Sequence, residues 1–143
     1  MLLNGVNHVA LLTHNTDRLV AFYREVFDAE AGAHLEEFDG AIQLTVIRIG
    51  PAAELNVLQI EGTEADRQAP MFGRGRIDHL GLQAASLGAF DQIRDRLIAR
   101  GACDQFVTDF GPVPSVFFRD PDGLEGEVCI QNPDAVPCGH YDD

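Results

Sequence analysis

Hydrophobic and polar residues follow two patterns along the chain, one typical of strands and one typical of helices, and the order of these patterns is the same in both halves. Short runs rich in Val, Ile and Leu at residues 6–12 and 77–83 are typical of strands. Each run is followed by a polar break and then by apolar residues at the i, i+3, i+4, i+7 spacing of an amphipathic helix. The apolar stripes of the two predicted helices are Leu19, Phe22, Tyr23 and Val26, and Phe90, Ile93 and Leu97.

Three further strand-like segments close each half. They span residues 29–37, 41–49 and 54–60 in the first half, and 102–109, 113–119 and 124–131 in the second. Asp39-Gly40 and Asp122-Gly123 stand at hairpin positions, where Gly supplies the positive φ of a tight turn. The pattern therefore predicts the order β-α-β-β-β, twice.

The two halves are related by a fixed offset along the chain. Residues 5–11 read Gly-Val-Asn-His-Val-Ala-Leu and residues 76–82 read Arg-Ile-Asp-His-Leu-Gly-Leu, so that His79 stands 79 − 8 = 71 residues after His8. The same offset relates Asn56 to Glu127 near the far ends of the halves, since 127 − 56 is again 71. A spacing that holds at both ends of each half indicates an internal repeat.

A repeat of this kind predicts an α+β fold. A four-stranded module is hydrophobic on one face of its sheet and cannot cover that face alone. We therefore expect two βαβββ modules that pair into one curved mixed sheet of about eight strands, with the helices outside and a concave cavity within. The expected bounds are 1–60 for the first module, 61–75 for a polar linker, 76–131 for the second module and 132–143 for a C-terminal tail.

Composition and charge limit the classes of molecule that the chain could bind. The 143 residues include 10 Lys+Arg and 23 Asp+Glu, which gives a net charge of −13. Nucleic acids and anionic membrane surfaces both require a basic face, so we expect the chain to bind neither. No apolar run approaches the ~20 residues of a membrane span, and the N-terminus lacks the features of a signal peptide. Three scattered cysteines form no disulfide framework, and a cytoplasmic location is expected.

Residues able to carry chemistry lie at the repeat positions. Alternate residues of a strand share a face, so pairing of the modules about a pseudo-twofold axis would bring His8, His79, Asn56 and Glu127 to one cavity. Two imidazoles and one carboxylate, from His8, His79 and Glu127, suit one divalent ion and leave positions open for water, oxygen or substrate. Asn56 is uncharged and a poor ligand, so we expect it to touch substrate or to hold a water beside the ligands.

The histidines that open each half, together with the Asp-Pro-Asp-Gly sequence at 120–123 followed by Glu127, resemble the vicinal oxygen chelate superfamily. This superfamily includes glyoxalases, bleomycin- and fosfomycin-resistance proteins, epimerases and extradiol dioxygenases. The resemblance covers residues 6–131 and implies that His8, His79 and Glu127 are the metal ligands of an enzyme. It also implies one divalent ion (Fe, Mn, Ni or Zn), a small oxygenated metabolite as substrate, and a homodimer.

Asn56 departs from the pattern of that superfamily. Glyoxalase-like members carry Glu at this position, and epimerases carry Glu or Gln. A four-ligand glyoxalase site is therefore disfavoured, and a three-ligand site similar to those of the dioxygenase and fosfomycin-resistance branches is preferred. The repeat identifies no catalytic base, and sequence alone does not choose between oxygenation, isomerisation and addition.

Two alternatives stay open at this stage. A buried carboxylate normally needs a cationic partner, so Glu127 could instead form a structural ion pair with Arg119. Glu125, close to the predicted hairpin, is expected to face solvent. The functional alternative is a metal-free protein similar to bleomycin-resistance proteins, which sequester a ligand without turnover. Three metal-ligating residues among the four repeat positions favour the enzyme.

Overall fold

The chain divides into two compact units, Met1–Arg67 and Gln68–Asp143. The computed structural model describes Leu2 and residues 5–37, 41–60 and 77–131. Three predicted features lie outside the described residues, and their bounds stay predictions: the linker at 61–75, the tail at 132–143 and the Asp39-Gly40 hairpin. In the described residues, no helix combines the length and the apolar character that crossing a membrane requires.

The first unit is a mixed sheet with one helix. In chain order it contains β1 (His8–Leu12), α1 (Thr16–Phe27), β2 (Glu30–Ala31), β3 (Leu35–Glu37), β4 (Ile42–Gly50) and β5 (Ala53–Ile60). β1 pairs with β5 in parallel, and β4 pairs antiparallel with β5 on one side and with β2 and β3 on the other. The segment predicted as one strand at 29–37 is thus two short strands along β4.

The second unit repeats this arrangement. It contains β6 (Leu80–Gln83), α2 (Leu87–Ala99), β7 (Thr108–Asp109), β8 (Pro114–Arg119) and β9 (Glu125–Cys129). β6 pairs with β9 in parallel, and β8 pairs antiparallel with β9 and β7. The predicted α+β fold of two βαβββ modules is confirmed. The described strands hydrogen-bond as a five-stranded sheet in the first unit and a four-stranded sheet in the second.

The register of the parallel strands confirms the internal repeat. Ala10 lies opposite Asn56 in the first unit, and Gly81 lies opposite Glu127 in the second. Both pairs are separated by 46 residues, since 56 − 10 and 127 − 81 are equal. Asn56 and Glu127 therefore occupy equivalent places in their own sheets, as the 71-residue offset predicts.

The helix covers one face of the sheet in the first unit. All four residues of the predicted stripe of α1 are buried, and so are Ile47, Leu55 and Val57 of the sheet. Asn15 caps α1 through its side-chain oxygen, which accepts the backbone N–H of Arg18 at 2.9 Å. Because strand residues alternate between faces, Asn56 lies on the face away from that core.

A buried carboxylate holds the turn between β8 and β9. Asp120 is 6% exposed, and its Oδ1 accepts the backbone N–H groups of Asp122 and Leu124 at 2.9 Å each. Gly123 adopts a φ of +88°, which an L side chain rarely takes. Burial raises the pKa of Asp120 from 3.8 to about 6, although these hydrogen bonds oppose the rise.

Asn in place of Asp120 should remove a pH dependence from the stability of the fold. Because the pKa is higher in the folded chain, the folded state holds the proton more tightly, and this group lowers stability as pH rises from about 4 to above 6. Asn accepts the same two N–H bonds without a charge. The gain in unfolding free energy of Asp120→Asn over the wild type should be about 1 kcal/mol larger at pH 7.5 than at pH 5.0.

Urea denaturation of both proteins at the two pH values measures this difference. An equal gain at pH 5.0 and pH 7.5 would mean that the Asp120 carboxyl group keeps an ordinary pKa in the fold.

Candidate functional site

His79 and Glu127 meet in the second unit. His79 directly precedes β6, and Glu127 lies on β9, which pairs with β6. Nε2 of His79 is 3.2 Å from Oε2 of Glu127, and the two side chains are 31% and 14% exposed. Phe117, opposite Glu127 on β8, packs edge-to-face with the imidazole at a centroid distance of 5.6 Å. The pair is therefore half-buried and shielded on one side by an aromatic ring.

The second nitrogen of His79 is held by the neighbouring Asp78. Nδ1 lies 2.9 Å from Oδ2 of Asp78. Both ring nitrogens of His79 therefore lie within hydrogen-bonding distance of a carboxylate oxygen, Nδ1 near Asp78 and Nε2 near Glu127. A tautomer with its hydrogen on Nδ1 would present the lone pair of Nε2 to a cation held beside Glu127. A carboxylate behind the imidazole is also the usual support of a metal-ligating histidine.

The separation of these two donor atoms fits a shared metal ion. Ligand atoms at about 2.0–2.2 Å from one ion lie roughly 3.0–3.4 Å apart when they occupy adjacent positions. The observed 3.2 Å falls within that interval. An imidazole nitrogen and a carboxylate oxygen are donors that Fe, Mn, Ni and Zn accept. The donor pair in the second unit is thus compatible with a divalent cation.

His8 shows the same support in the first unit. Nδ1 of His8 is 2.8 Å from Oδ1 of Asn7, and Asn7 is the repeat equivalent of Asp78, since 7 + 71 = 78. A tautomer with its hydrogen on Nδ1 would donate to this amide oxygen and leave the lone pair on Nε2. Each histidine thus has an acceptor oxygen beside Nδ1, which favours the tautomer that presents Nε2 as a ligand.

Asn56 contains a buried polar atom without a hydrogen-bond partner among the described residues. This atom is the side-chain oxygen Oδ1. A buried, unpaired carbonyl group costs about 1–3 kcal/mol, which a substrate hydroxyl or a water molecule would relieve.

The described residues of each unit, taken by itself, group no three His, Cys, Asp or Glu side chains into a complete metal site. The second unit brings together His79 and Glu127, two of the three predicted ligands. His8 lies in the first unit, at the start of β1. The joint ligation of one ion by all three residues stays a prediction.

Around Glu127, the structure shows neither the alternative ion pair with Arg119 nor the expected exposure of Glu125. Arg119 pairs with Glu125, at 3.9 Å, whereas the partner of Glu127 is His79. Glu125 does not face solvent, because its side chain is only 11% exposed. Both differences follow from the register of β8 on β9, which places Arg119 opposite Glu125 and Phe117 opposite Glu127.

The repeat carries a further set of residues that the sequence reasoning missed. Three ionisable positions recur unchanged at the 71-residue offset: His8 and His79, Arg48 and Arg119, and Glu54 and Glu125. In the first unit His8 lies opposite Glu54, and Glu54 lies opposite Arg48. The Arg–Glu separation is 3.9 Å in both units. A residue-by-residue comparison of the halves would have found this set.

Comparison with known proteins identifies one family. The family model described as Glyoxalase/Bleomycin resistance protein/Dioxygenase superfamily matches residues 5–128. No curated protein matches the chain.

Several solved structures share the fold. The chain is similar to a glyoxylase/bleomycin resistance protein/dioxygenase domain from Frankia sp. EAN1pec, with 21% identity and a TM-score of 0.79 over 92% of this chain and 95% of that chain. It is similar to the fosfomycin resistance protein FosX from Listeria monocytogenes, with 19% identity and a TM-score of 0.65 over 93% and 98%. A mutant of that FosX, complexed with Mn(II) and 1S,2S-dihydroxypropylphosphonic acid, has 16% identity and a TM-score of 0.63 over 89% and 92%.

Proposed function

We propose that this chain, which belongs to the glyoxalase/bleomycin resistance protein/dioxygenase superfamily, is a divalent-metal-dependent enzyme acting on a small oxygenated metabolite. His8, His79 and Glu127 are the proposed ligands, and the substrate binds through two adjacent oxygens. The observation that carries the proposal is the contact of His79 with Glu127 at 3.2 Å, with Asp78 behind the imidazole. The equivalent contact of His8 with Asn7 supports His8 as the third proposed ligand.

The chain's own residues prepare this site in distinct ways. Asp78 and Asn7 place an acceptor oxygen beside Nδ1 of the two histidines, and Phe117 shields the imidazole of His79 from water on one side. Two neutral imidazoles and one carboxylate leave a divalent ion with a net positive charge, which supplies Lewis-acid polarisation of the substrate oxygens. Asn56, which has no charge, would accept a hydrogen bond from the substrate or from a water through Oδ1.

The proposed metal is one of Fe, Mn, Ni or Zn. All four accept imidazole and carboxylate ligands, and the choice between oxygen chemistry and proton transfer or addition depends on which is bound. That a similar FosX structure contains Mn(II) supports beginning with this ion. The proposed assembly is a cytoplasmic homodimer, and sedimentation of the purified chain measures the subunit number.

Metal analysis of untagged protein, purified without chelator, tests the proposal. We expect a stoichiometric divalent ion, and turnover when the metal-free chain is reloaded with Fe(II), Mn(II), Ni(II) or Zn(II). Suitable substrates are catechols, the thiol adduct of methylglyoxal and fosfomycin, the last because the similar FosX proteins are fosfomycin resistance proteins. A chain that stays metal-free under metal-replete growth would instead support a ligand-sequestering protein.

Substitution of Asp78 by Asn should weaken Mn(II) binding about 10-fold, because the charge that supports the basicity of His79 is lost while its hydrogen bond is kept. The reverse change in the first unit, Asn7→Asp, should tighten Mn(II) binding, since it gives His8 the same carboxylate support. Calorimetric titration of the metal-free variants measures both affinities. Unchanged Mn(II) affinity in both variants would mean that Asp78 and Asn7 do not support metal ligands.

A further inference from the structure

Arg48 and Arg119 are equivalent residues with unequal partners. Arg48 lies between two carboxylates, with Nη1 3.4 Å from Oε2 of Glu30 and Nε 3.9 Å from Oε1 of Glu54. Arg119 has the equivalent of the second partner, Glu125. The first partner has no equivalent: the antiparallel bridge of Cys103 with Phe118 places Ala102 opposite Arg119, where Glu30 lies opposite Arg48. The residue opposite Arg119 on the neighbouring segment thus carries no carboxylate.

A cavity opens beside Arg119, on the edge where that carboxylate is missing. Its volume is about 220 Å³, and its lining is Cys103, Asp104, Phe117, Phe118, Arg119 and Glu125. Cys103 bridges to Phe118 along the edge of β8, as β2 with Glu30 pairs with β4 in the first unit. A space of this volume suits a carboxylate with a short carbon chain.

Glu125 lies beside the guanidinium of Arg119 but does not occupy all of its N–H donors. Its contact with Glu125, at 3.9 Å, is longer than a hydrogen bond, and the Arg119 side chain is 64% exposed. The remaining carboxylate of the cavity, Asp104, accepts the backbone N–H of Phe106 at 3.2 Å. The planar N–H fork of arginine matches a carboxylate in two parallel hydrogen bonds. An incoming carboxylate would therefore find donors available on Arg119.

The cavity lies at a defined distance from the proposed metal ligands. Arg119 and Glu125 are paired two residues along β8 and β9 from the pair of Phe117 and Glu127. Two residues of a strand span about 7 Å and place their side chains on the same face. A substrate held at Glu127 thus reaches Arg119 with a group a few bonds away from its metal-binding oxygens.

We propose that Arg119, oriented by Glu125, binds a carboxylate of the substrate in this cavity, at the place that Glu30 fills beside Arg48. The substrates are then small oxo or hydroxy acids that carry a distal carboxylate. This inference rests on the proposed function for the metal-binding end of the substrate. Binding of the distal carboxylate itself requires no metal, so the two ideas fail separately.

Two oxo acids test the role of Arg119 in the Mn(II)-loaded full chain. 2-Oxoglutarate has a distal carboxylate, and 2-oxobutyrate lacks it. Arg119→Gln should weaken 2-oxoglutarate binding about 10- to 100-fold, the effect of losing a hydrogen bond to a charged group, and leave 2-oxobutyrate binding unchanged. Arg119→Lys should show a smaller loss, because it keeps the charge. The matched control is Arg48→Gln, which should change neither affinity.

A metal-free measurement separates the two proposals. Titration of the ¹⁵N-labelled metal-free chain with glutarate should shift the Nε–H signal of Arg119, assigned by its loss in Arg119→Gln, and not that of Arg48. Equal shifts of both signals, or no shift of either, would overturn the carboxylate site, as would equal weakening of both oxo acids by Arg119→Gln. A chain that binds none of Fe(II), Mn(II), Ni(II) and Zn(II) but still shows the Arg119 shift refutes the proposed enzyme and keeps the carboxylate site.

Discussion

A Glu127→Gln variant should lose Mn(II) binding by at least about 100-fold, more than the 10- to 100-fold that loss of a residue supporting a ligand costs. Glu127 is the sole proposed carboxylate ligand, and its oxygen lies 3.2 Å from Nε2 of His79. Gln keeps the shape of the side chain but removes the charge that a divalent ion requires. His79→Ala should show a loss of similar size. Electron paramagnetic resonance of Mn(II) added to the metal-free chain measures the bound fraction.

The matched control for this variant is Glu125→Gln. Glu125 lies on the same strand, two residues away, and its side chain is nearly as buried, at 11% exposed against 14% for Glu127. The control removes the same charge from the same unit but no proposed ligand, so it should retain Mn(II). Equal losses in both variants would mean that Mn(II) affinity depends on the negative charge of this unit and not on ligation by Glu127. Undiminished binding by Glu127→Gln would exclude Glu127 as a ligand.

Gly126→Ala should destabilise the fold by about 2 kcal/mol, within the range for overpacked cores. A Cβ added at Gly126 would overlap Cζ of Phe118, its partner on β8. Phe118 is 3% exposed, so its ring has little freedom to move away. The equivalent pair in the first unit is Leu55 and Ile47, both fully buried. The second unit thus fills the same space with one aromatic ring over a glycine.

Two further variants make this prediction specific. A Cβ added at Gly81 would lie 3.9 Å from Oε2 of Glu127, an ordinary contact, and Ala10 stands at the equivalent position. Gly81→Ala should therefore cost little stability in urea denaturation. Phe118→Leu should recover part of the loss caused by Gly126→Ala, because the smaller side chain leaves room for the methyl group. Equal stability of Gly126→Ala and Gly81→Ala would contradict the packing argument.

The fold was largely predictable because the same hydrophobic spacings occur in both halves of the sequence. The stripe of α1 and the order of elements follow from hydrophobic spacing, and the repeat offset alone predicts the shared register of Asn56 and Glu127. The interruptions of the edge strands were not predictable. Asp28 and Gln105 adopt φ values of +53° and +73° beside these edges. Glycine is the residue that predicts such a conformation, and neither of these residues is a glycine.

The contact of His79 with Glu127 was predictable from the repeat, whereas the surroundings of Glu127 were not. The repeat selected His79 and Glu127, whose contact the structure shows. The partner of Arg119 depends on the β8–β9 register, which the turn at Asp120 fixes and which hydrophobic spacing leaves open. The burial of Glu125 likewise depends on that register, because proximity to a hairpin usually implies exposure.

The two units differ at two positions of the proposed site, where the first carries amides and the second carries carboxylates. Asn7 stands for Asp78, and Asn56 stands for Glu127. In the proposed enzyme, the negative charges that would balance the metal ion therefore belong to the second unit.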